Sequence, residues 1–493
     1  MLRGLLTIVV RLPMGFLIPL TFLIGIWTFF LFKEFSKYLN LRDLNPFVTV
    51  PIVSRLDDIL IAAVLVVLYA AGLLIAYNLS VVINWALSSY AIRTVSFPAV
   101  RPHRPVSEAD QSDRFKHVNK IGIVLAGGGA KGAFQAGAMK AVYRFLAEHN
   151  VLDKVKVISG TSIGSWNALF WLADLIKSEK GWDAPSLHEN WWRSIRLRSL
   201  VAPSWYVPGL RNAFCETTPW QRGFDGIFGQ PDVTQHILHT KINFYLTRSD
   251  VRSGQLQCTT NNGHAPHIPK VRYSWLDPSK GADEFLKDLK FGVFASMDLP
   301  PLFPYMKLDE ELFEDGGVID NLPILFAGME QCDLIFVLPL NSDFHAKPNQ
   351  RSVMKRFLRV MDVRQGALER GSLKNLYLYN ELAVLRDYVR ALEAKMSDAK
   401  IELPPMRRSE TLDWALKRTH QPSKIFAICP LRTFAESTIN TQELWKSKKA
   451  RFAFNVMYRS TRDVLRSKFD PNAERIRIAL VDHAGAITWD EDF

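Results

Sequence analysis

Two long apolar runs near the N-terminus predict membrane helices. Residues 12–32 carry no charged side chain over 21 positions, and residues 59–77 carry none over 19. A helix rises about 1.5 Å per residue, so each run is long enough to cross about 30 Å of hydrocarbon. We therefore expect two transmembrane helices, at about 12–32 and 59–80, within a membrane region of residues 1–95.

Two spans place the N-terminus and everything after residue 95 on the same side of the membrane. The basic residues that flank the spans number five on that side and four in the connecting loop. This small excess favours a cytoplasmic position for the C-terminal part of an integral membrane protein.

Beyond the membrane region, short apolar runs alternate with helical periodicity. Residues 121–126 (IGIVLA) and 155–159 (VKVIS) are typical of buried strands, and each is followed by glycines and a helical stretch. Two successive strand–turn–helix units predict a doubly wound α/β fold with a parallel sheet. Residues 96–119, which contain Pro98, Pro102 and Pro105, are expected to form a linker. Further strands are expected at 243–248, 255–260, 333–340 and 424–430, and a helix at 351–395.

Net charge and cysteine content limit the kinds of molecule that this chain is expected to bind. The chain has 493 residues and a net charge of +12, and its four cysteines are far apart, which excludes a disulfide scaffold and a Cys-based zinc module. A basic chain suits either nucleic acid or an anionic membrane surface, and the apolar N-terminus favours the membrane. Residues 351–374 carry seven bases and two acids. One hypothesis is that this helix faces the membrane; the alternative is a solvated face of a helix packed on the sheet.

The glycine-rich turn after the first expected strand allows two interpretations. The segment Gly127–Gly132 (GGGAKG) matches the G-x-G-x-x-G pattern of dinucleotide sites. Such a site also needs an acid at the end of the next strand, where this chain has Ser159-Gly160-Thr161-Ser162. The alternative is a set of backbone amides that holds the oxyanion of an acyl-transfer intermediate, with Lys131 adding positive charge.

A candidate nucleophile lies in the second strand–turn–helix unit. The pentapeptide Gly160-Thr161-Ser162-Ile163-Gly164 is a G-x-S-x-G motif between a strand-like run and a helical run. This context is the one in which the motif forms a nucleophile elbow, where a strained turn exposes the serine. We therefore expect Ser162 to be the nucleophile, with Gly160 and Gly164 shaping the elbow.

The base that would activate Ser162 has two candidates in the sequence. A histidine would complete a triad, but none of the histidines after Ser162 stands in a recognisable motif. Asp315 precedes Gly316 and Gly317, and such a turn can direct a carboxylate into a cleft. Burial would raise the pKa of this Asp and improve it as a base.

Together these residues resemble the patatin-like phospholipase family over roughly residues 121–430. The segment 127–132 resembles the family's oxyanion segment, 160–164 its nucleophile motif, and Asp315-Gly316-Gly317 its Asp-Gly-[Gly/Ala] motif. Residues 295–304 resemble the stretch before the aspartate, and Asn321-Leu322-Pro323 resembles its usual sequel.

The resemblance implies a patatin-like, three-layer α/β/α fold with a mostly parallel central sheet. It implies that a Ser162–Asp315 dyad hydrolyses carboxylic esters of membrane lipids, without a metal or cofactor. The oxyanion hole would be formed by Gly127, Gly128, Gly129, Ala130, Lys131 and Gly132. The catalytic domain is expected at 120–435, followed by an extension at 436–493 that packs on it.

Three alternatives remain open. A histidine-triad esterase would depend on a residue such as His345 or His420. A nucleotide-binding membrane protein would use the glycine turn differently. A membrane-anchored protein that binds lipid without catalysis would keep only the fold. Nucleic acid is not an expected partner, and the oligomeric state is undetermined by the sequence.

Overall fold

A computed structural model describes residues 72, 115–203, 213, 215–300, 302–341, 353–399, 421–431, 447–471 and 477–490. Apart from Gly72, which is helical and exposed, the membrane helices expected at 12–32 and 59–80 lie outside these residues. Within the described part of the chain, no helix combines the length and apolar character that crossing a bilayer requires.

The described residues alternate between strands and helices along the chain. The strands are β1 (Ile121–Leu125), β2 (Val155–Thr161), β3 (Ala202–Pro203), β4 (Cys215–Glu216), β5 (Asn243–Asp250), β6 (Leu256–Thr260), β7 (Val271–Trp275), β8 (Met306–Leu308), β9 (Glu311–Asp315), β10 (Leu334–Leu338), β11 (Lys424–Pro430), β12 (Arg477–Val481) and β13 (Ile487–Asp490). The helices are α1 (Gly132–Glu148), α2 (Ile163–Leu172), α3 (Leu187–Ser194), α4 (Leu197–Leu200), α5 (Thr218–Phe228), α6 (Pro231–Leu238), α7 (Ala282–Met297), α8 (Ile324–Met329), α9 (Val353–Asp398) and α10 (Ser447–Ser467). Short 3-10 turns cover Gly129–Lys131, Leu152–Lys154, Pro278–Lys280 and Gly316–Val318.

One mixed sheet with a parallel centre organises the fold. Its order is β13-β12-β11-β10-β1-β2-β5-β6-β7, and neighbouring strands from β12 to β5 are parallel. Every residue of β1 and β10 is buried, as expected for strands covered on both faces. The predicted α/β class with a mostly parallel central sheet is confirmed.

Side chains from alternate strand positions build two apolar layers. One layer joins Ile123 and Phe336 of the sheet to α1, α2 and α10, and it is rich in aromatic rings around Trp166. The other joins Val124 and Val337 to α8 and α9. The carboxyl ends of β1 and β2 therefore meet at an edge that helices flank on both sides, where ligands bind in open α/β sheets.

The long helix α9 crosses one face of the sheet from edge to edge. The 17th residue of this helix, Glu369, accepts hydrogen bonds from the amides of Leu340 and Asn341, just beyond the carboxyl end of β10. Eleven residues later, the Asn380 side chain bonds both backbone groups of Ser423, just before β11 begins. The remaining residues of α9 thus extend past the edge opposite the carboxyl ends of the strands.

The C-terminal elements belong to the same sheet and core. Strands β12 and β13 extend the sheet beyond β11, and α10 packs against α1. The two helices meet backbone to backbone at Gly137, where a Cβ would collide with the carbonyl oxygen of Phe454.

Candidate active site

Ser162 stands at the sharp turn between β2 and α2. Its backbone has φ 54° and ψ −124°, a left-handed conformation that costs a residue with a side chain about 1–3 kcal/mol. Two contacts hold it there: its amide donates to Ser296 Oγ at 2.9 Å, and its carbonyl accepts from the Ser165 amide at 2.9 Å. The turn therefore has the strain and position that the G-x-S-x-G motif predicts.

The two glycines of the motif allow this turn to approach its surroundings closely. A Cβ on Gly160 would lie 2.7 Å from the carbonyl carbon of Gly164, and a Cβ on Gly164 would collide with the carbonyl oxygen of Leu125 in β1. Both flanking positions therefore exclude side chains.

The strand register explains how Asp315 reaches Ser162. One edge of β5 pairs with β2 as far as Thr247, which lies opposite Thr161. From Arg248 onward β5 pairs with β9 instead, and Arg248 lies opposite Asp315. Because β9 replaces β2 on the same edge of β5 and both strands end at this junction, Asp315 lies next to the residue that follows Thr161.

The side chains of Ser162 and Asp315 are in direct contact. Ser162 Oγ donates to Asp315 Oδ2 at 2.5 Å, and the Gly317 amide donates to Asp315 Oδ1 at 2.7 Å. The Asp315 residue is 1% exposed. Burial raises the pKa of Asp315 to about 7, although the hydrogen bonds from Ser162 and Gly317 oppose this. A carboxyl group with a pKa near neutrality is suited to take a proton from serine.

The glycine-rich loop lies beside the serine but offers fewer free amides than the sequence suggested. A Cβ on Gly127 would be 3.1 Å from that of Ser162. The Gly127 amide donates to Asn321 O, the Lys131 amide donates to Gly128 O, and the Gly132 amide bonds inside the turn. Asn321 and local turn bonds occupy the amides of Gly127, Lys131 and Gly132, so the candidate oxyanion hole narrows to the amides of Gly128, Gly129 and Ala130.

A buried polar network connects the glycine loop to α9. The Asn321 side-chain amide donates to Gly127 O at 3.1 Å and to Glu369 Oε1 at 2.5 Å. The Asn341 amide group also donates to Glu369, at 2.6 Å, and Lys131 Nζ donates to Asn341 at 2.7 Å. Burial raises the pKa of Glu369 to about 7. The positive charge expected of Lys131 is thus directed toward Asn341, and Glu369 supports the loop.

A second carboxyl group is buried near the dyad. Asp298, at the end of α7, accepts the Asp315 amide with its backbone carbonyl at 3.0 Å. Its side-chain oxygens are buried, with no hydrogen-bond partner among the described residues. Burial raises the pKa of Asp298 well above its usual value, and the charge of Asp315 raises it further. Both effects favour the protonated form of the Asp298 carboxyl group over a second negative charge beside Asp315.

No histidine in the described part of the chain hydrogen bonds to Ser162 or Asp315. The buried His188 bonds Asn167 at 3.0 Å and stacks on Phe170, and burial lowers its pKa to about 3. His345 and His420 lie outside the described residues. Among the described residues, no group of three or more His, Cys, Asp or Glu side chains could hold a metal ion.

Comparison with known proteins identifies the domain that carries this geometry. Residues 123–327 match the family model described as patatin-like phospholipase. These residues form a patatin-like phospholipase domain. The matched region begins in β1 of the patatin-like domain, contains Ser162 and Asp315, and ends in α8.

Curated relatives of the patatin-like domain are fungal lysophospholipases. The chain is 24% identical to "Lysophospholipase NTE1" of Debaryomyces hansenii over 236 residues, which are 47% of this chain and 12% of that protein. It is 24% identical to the Scheffersomyces stipitis protein of the same name over 349 residues, 67% of this chain and 19% of the relative. The Saccharomyces cerevisiae protein matches at 24% over 246 residues, 49% of this chain and 12% of the relative. The chain thus spans less than a fifth of these relatives.

Among solved structures, VipD from Legionella pneumophila aligns with a TM-score of 0.30 and 12% identity, covering 77% of this chain and 73% of that chain. A TM-score this low does not establish a shared fold.

Sequence reasoning located the two central side chains of the patatin-like domain but missed some of their supports. Ser296 and Asn321 lie in segments that the resemblance singled out, although no role was expected for either. Nothing in the sequence indicated a role for Asp298. Glu369 did give a signal, because it is one of two acids among the nine charged residues of 351–374.

Proposed function

We propose that this protein is a membrane-anchored serine hydrolase that cleaves carboxylic esters of lipids, of the phospholipase or lysophospholipase type. In the proposed mechanism Ser162 is the nucleophile and Asp315 is the base. The amides of Gly128, Gly129 and Ala130 form the oxyanion hole. The observation that carries the proposal is the 2.5 Å hydrogen bond from a strained, buried serine to a carboxyl group of raised pKa.

In the first step Ser162 Oγ attacks the ester carbonyl while its proton passes to Asp315 Oδ2. The carbonyl oxygen gains negative charge, which the amides beside it stabilise, and the start of α2 adds a favourable dipole. The alcohol leaves with the proton from Asp315, and the acyl group stays on the serine.

In the second step water replaces the alcohol. Asp315 accepts a proton from the water as it attacks the acyl-enzyme, and the same amides hold the second oxyanion. Ser162 then regains the proton from Asp315 as the fatty acid leaves, which restores the starting state. One carboxyl group can serve both steps because its pKa lies close to neutral pH.

The names of the fungal relatives support lysophospholipid as a substrate, and the family description supports phospholipid. We propose that residues 1–95 anchor the chain through the two apolar segments and that residues 96–119 link them to a cytoplasmic catalytic domain at 120–435. We propose residues 436–493 as an extension of this domain, which is supported by the packing of α10 on α1. Anchoring would keep the site near its substrate and raise the effective lipid concentration.

Labelling with a fluorophosphonate tests the enzyme class. We expect mass spectrometry to find one adduct on Ser162 in the full-length chain and none in Ser162→Ala. Hydrolysis of lysophosphatidylcholine should fall by about 10²- to 10⁴-fold in Asp315→Asn. Ser397→Ala, which changes an exposed serine of α9, is the matched control and should behave as wild type.

Two outcomes would contradict the proposal. An adduct elsewhere, with Ser162→Ala still active, would remove the nucleophile. Normal turnover by a folded Asp315→Asn variant would remove the base. The anchor is tested separately by alkaline extraction of membranes that contain the chain; recovery in the supernatant would exclude integral insertion without affecting the dyad.

A further inference from the structure

The distal part of α9 forms a projection that the catalytic site does not use. Beyond Asn380, which contacts Ser423 at the sheet edge, 18 residues of helix remain, or about 27 Å. We call residues 377–398 the α9 arm. Within the arm, only Ala383 and Arg386 are buried.

The α9 arm exposes an apolar face. Its large exposed apolar side chains recur mainly at three- and four-residue intervals, which places them on one side of a helix. They are Tyr377, Leu378, Leu382, Val384, Leu385, Tyr388 and Leu392, with exposures of 39–63%. The buried Ala383 and Arg386 lie on the opposite side. Because so many neighbouring apolar side chains are rarely left in water, this face indicates a docking surface.

Two charged side chains interrupt this apolar face, and their spacing is symmetric. Glu381 lies seven residues before Tyr388, and Lys395 lies seven residues after it. Two heptads span about four helical turns, so all three residues lie on one side of α9. Both charged side chains are exposed, and among the described residues neither has an ion-pair partner.

We propose that the α9 arm binds the α9 arm of a second copy of this chain, antiparallel, about a two-fold axis at Tyr388. Such an axis makes residue 388 + n of one copy face residue 388 − n of the other. Glu381 then faces Lys395 of the second copy, and the symmetry forms this pair twice. Val384 faces Leu392, and Leu385 faces Ala391, so the apolar positions also meet.

Charge favours this partner and orientation over the alternatives. A parallel pair in register would place Glu381 beside Glu381 and Lys395 beside Lys395, which costs free energy. Helices that lie in a lipid surface carry an excess of Lys and Arg to attract anionic headgroups. Here the apolar face carries one acid and one base, so it has no net attraction for such a surface.

Charge reversal tests the pairing. In Glu381→Lys or Lys395→Glu, two opposite-charge pairs become two like-charge pairs, and we expect the dimer dissociation constant to rise about tenfold. The double variant exchanges the charges and should restore dimerisation. The measurement is sedimentation of the full-length chain from about 1 to 100 µM in a density-matched detergent. Hydrolysis should be unchanged in all three variants, because the arm lies outside the catalytic machinery.

Cross-linking tests the position of the axis. Tyr388→Cys should be joined into a dimer by a bis-maleimide with a spacer of about 8–10 Å, the usual separation of packed helices. The matched control is Ala394→Cys, which places an exposed cysteine on the opposite side of the arm, and it should remain a monomer under the linker. The unmodified chain provides the background from its own four cysteines.

Several results would overturn the proposal. They are a monomer throughout the concentration range, single reversals that leave dimerisation unchanged, a double variant that stays dissociated, or equal cross-linking at 388 and 394. Loss of vesicle binding in Leu385→Asp with no change in molecular mass would instead assign the apolar face to lipid and reject the second copy.

Discussion

Replacing Asp315 with Asn should reveal the stability cost of keeping an ionisable carboxyl group inside the protein. Burial raises the pKa of Asp315 from 3.8 to about 7. Each pKa unit corresponds to about 1.4 kcal/mol, so the ionised carboxylate destabilises the folded state by about 4 kcal/mol above pH 7. The folded state binds the proton more tightly than the unfolded chain does. The destabilisation is therefore absent below about pH 4 and grows until the pH passes about 7.

Asn carries no charge at any pH and escapes this cost. We expect the free energy of unfolding of Asp315→Asn, relative to wild type, to rise by about 2.5 kcal/mol between pH 5 and pH 8. The Ser162 hydrogen bond favours the ionised carboxylate, and its effect is already included in the folded-state pKa of about 7, so the pH dependence reports the ionisation of Asp315. Asp320 and Glu369, whose pKa values burial also raises, titrate in both proteins and cancel in the comparison.

The assay is guanidinium unfolding of the full-length chain at the two pH values, followed by tryptophan fluorescence, since Trp166 and Trp192 are buried in the domain. Asp309→Asn is the control, because Asp309 is an exposed carboxyl in the β8–β9 turn. The change between pH 5 and pH 8 in Asp315→Asn should exceed the change in this control variant. A constant or shrinking difference for Asp315→Asn would refute the argument that burial raises the pKa of this carboxyl.

Three further predictions concern activity and local packing. The value of kcat/KM should rise with pH around a midpoint of about 7 as Asp315 loses its proton; a flat profile from pH 5 to 8 would contradict this. Glu369→Ala should lower kcat about ten- to a hundredfold with little change in KM, because Asn321 and Asn341 lose the carboxylate to which they donate. Glu369→Gln should recover part of this loss. A change confined to KM would exclude this positioning role. Gly160→Ala should lower the free energy of unfolding by about 1–3 kcal/mol and abolish fluorophosphonate labelling, since its Cβ meets backbone; normal labelling would show that the elbow can relax.

The sequence was most informative where local pattern and chemistry coincide. The strands expected at 121–126 and 155–159 are present as β1 and β2, because continuous apolar runs next to glycine turns specify buried parallel strands. The strand at 424–430 has the expected bounds. The helix expected at 351–395 is present as α9. No local sequence pattern predicted the direction in which it crosses the sheet.

Other parts of the fold depend on contacts that a linear pattern does not encode. Strands β7 and β8 are short and partly exposed, so they lack the apolar runs that indicate buried strands. The position of Asp315 depends on β5 exchanging one partner for another at Arg248, which is a property of register. Asp298 looks like an ordinary surface acid in sequence, and Glu369 stands out only as one of two acids in a basic segment; tertiary burial is what changes the chemistry of both.

The structure bears on the hypothesis that the helix at 351–374 faces a membrane, because several of its side chains contact the domain. Arg364 donates to Val318 O at 2.6 Å, just after the Asp315 motif, and Glu369 enters the polar network. Gln365 and Leu373 are buried against the domain. One side of the described part of this segment therefore packs against the domain.

The packing of α10 on α1 limits how short a fragment of this chain can be and still fold when it is joined to another protein. The family match ends at residue 327, yet β1 would then lack β10 on one side. A piece that ended after β11 would leave an open strand edge and expose the surface of α1 around Gly137 that Phe454 covers. The smallest part of the chain that can fold is therefore longer than the segment that the family model matches. Recombination that kept only residues 123–327 would yield a fragment that is prone to aggregate.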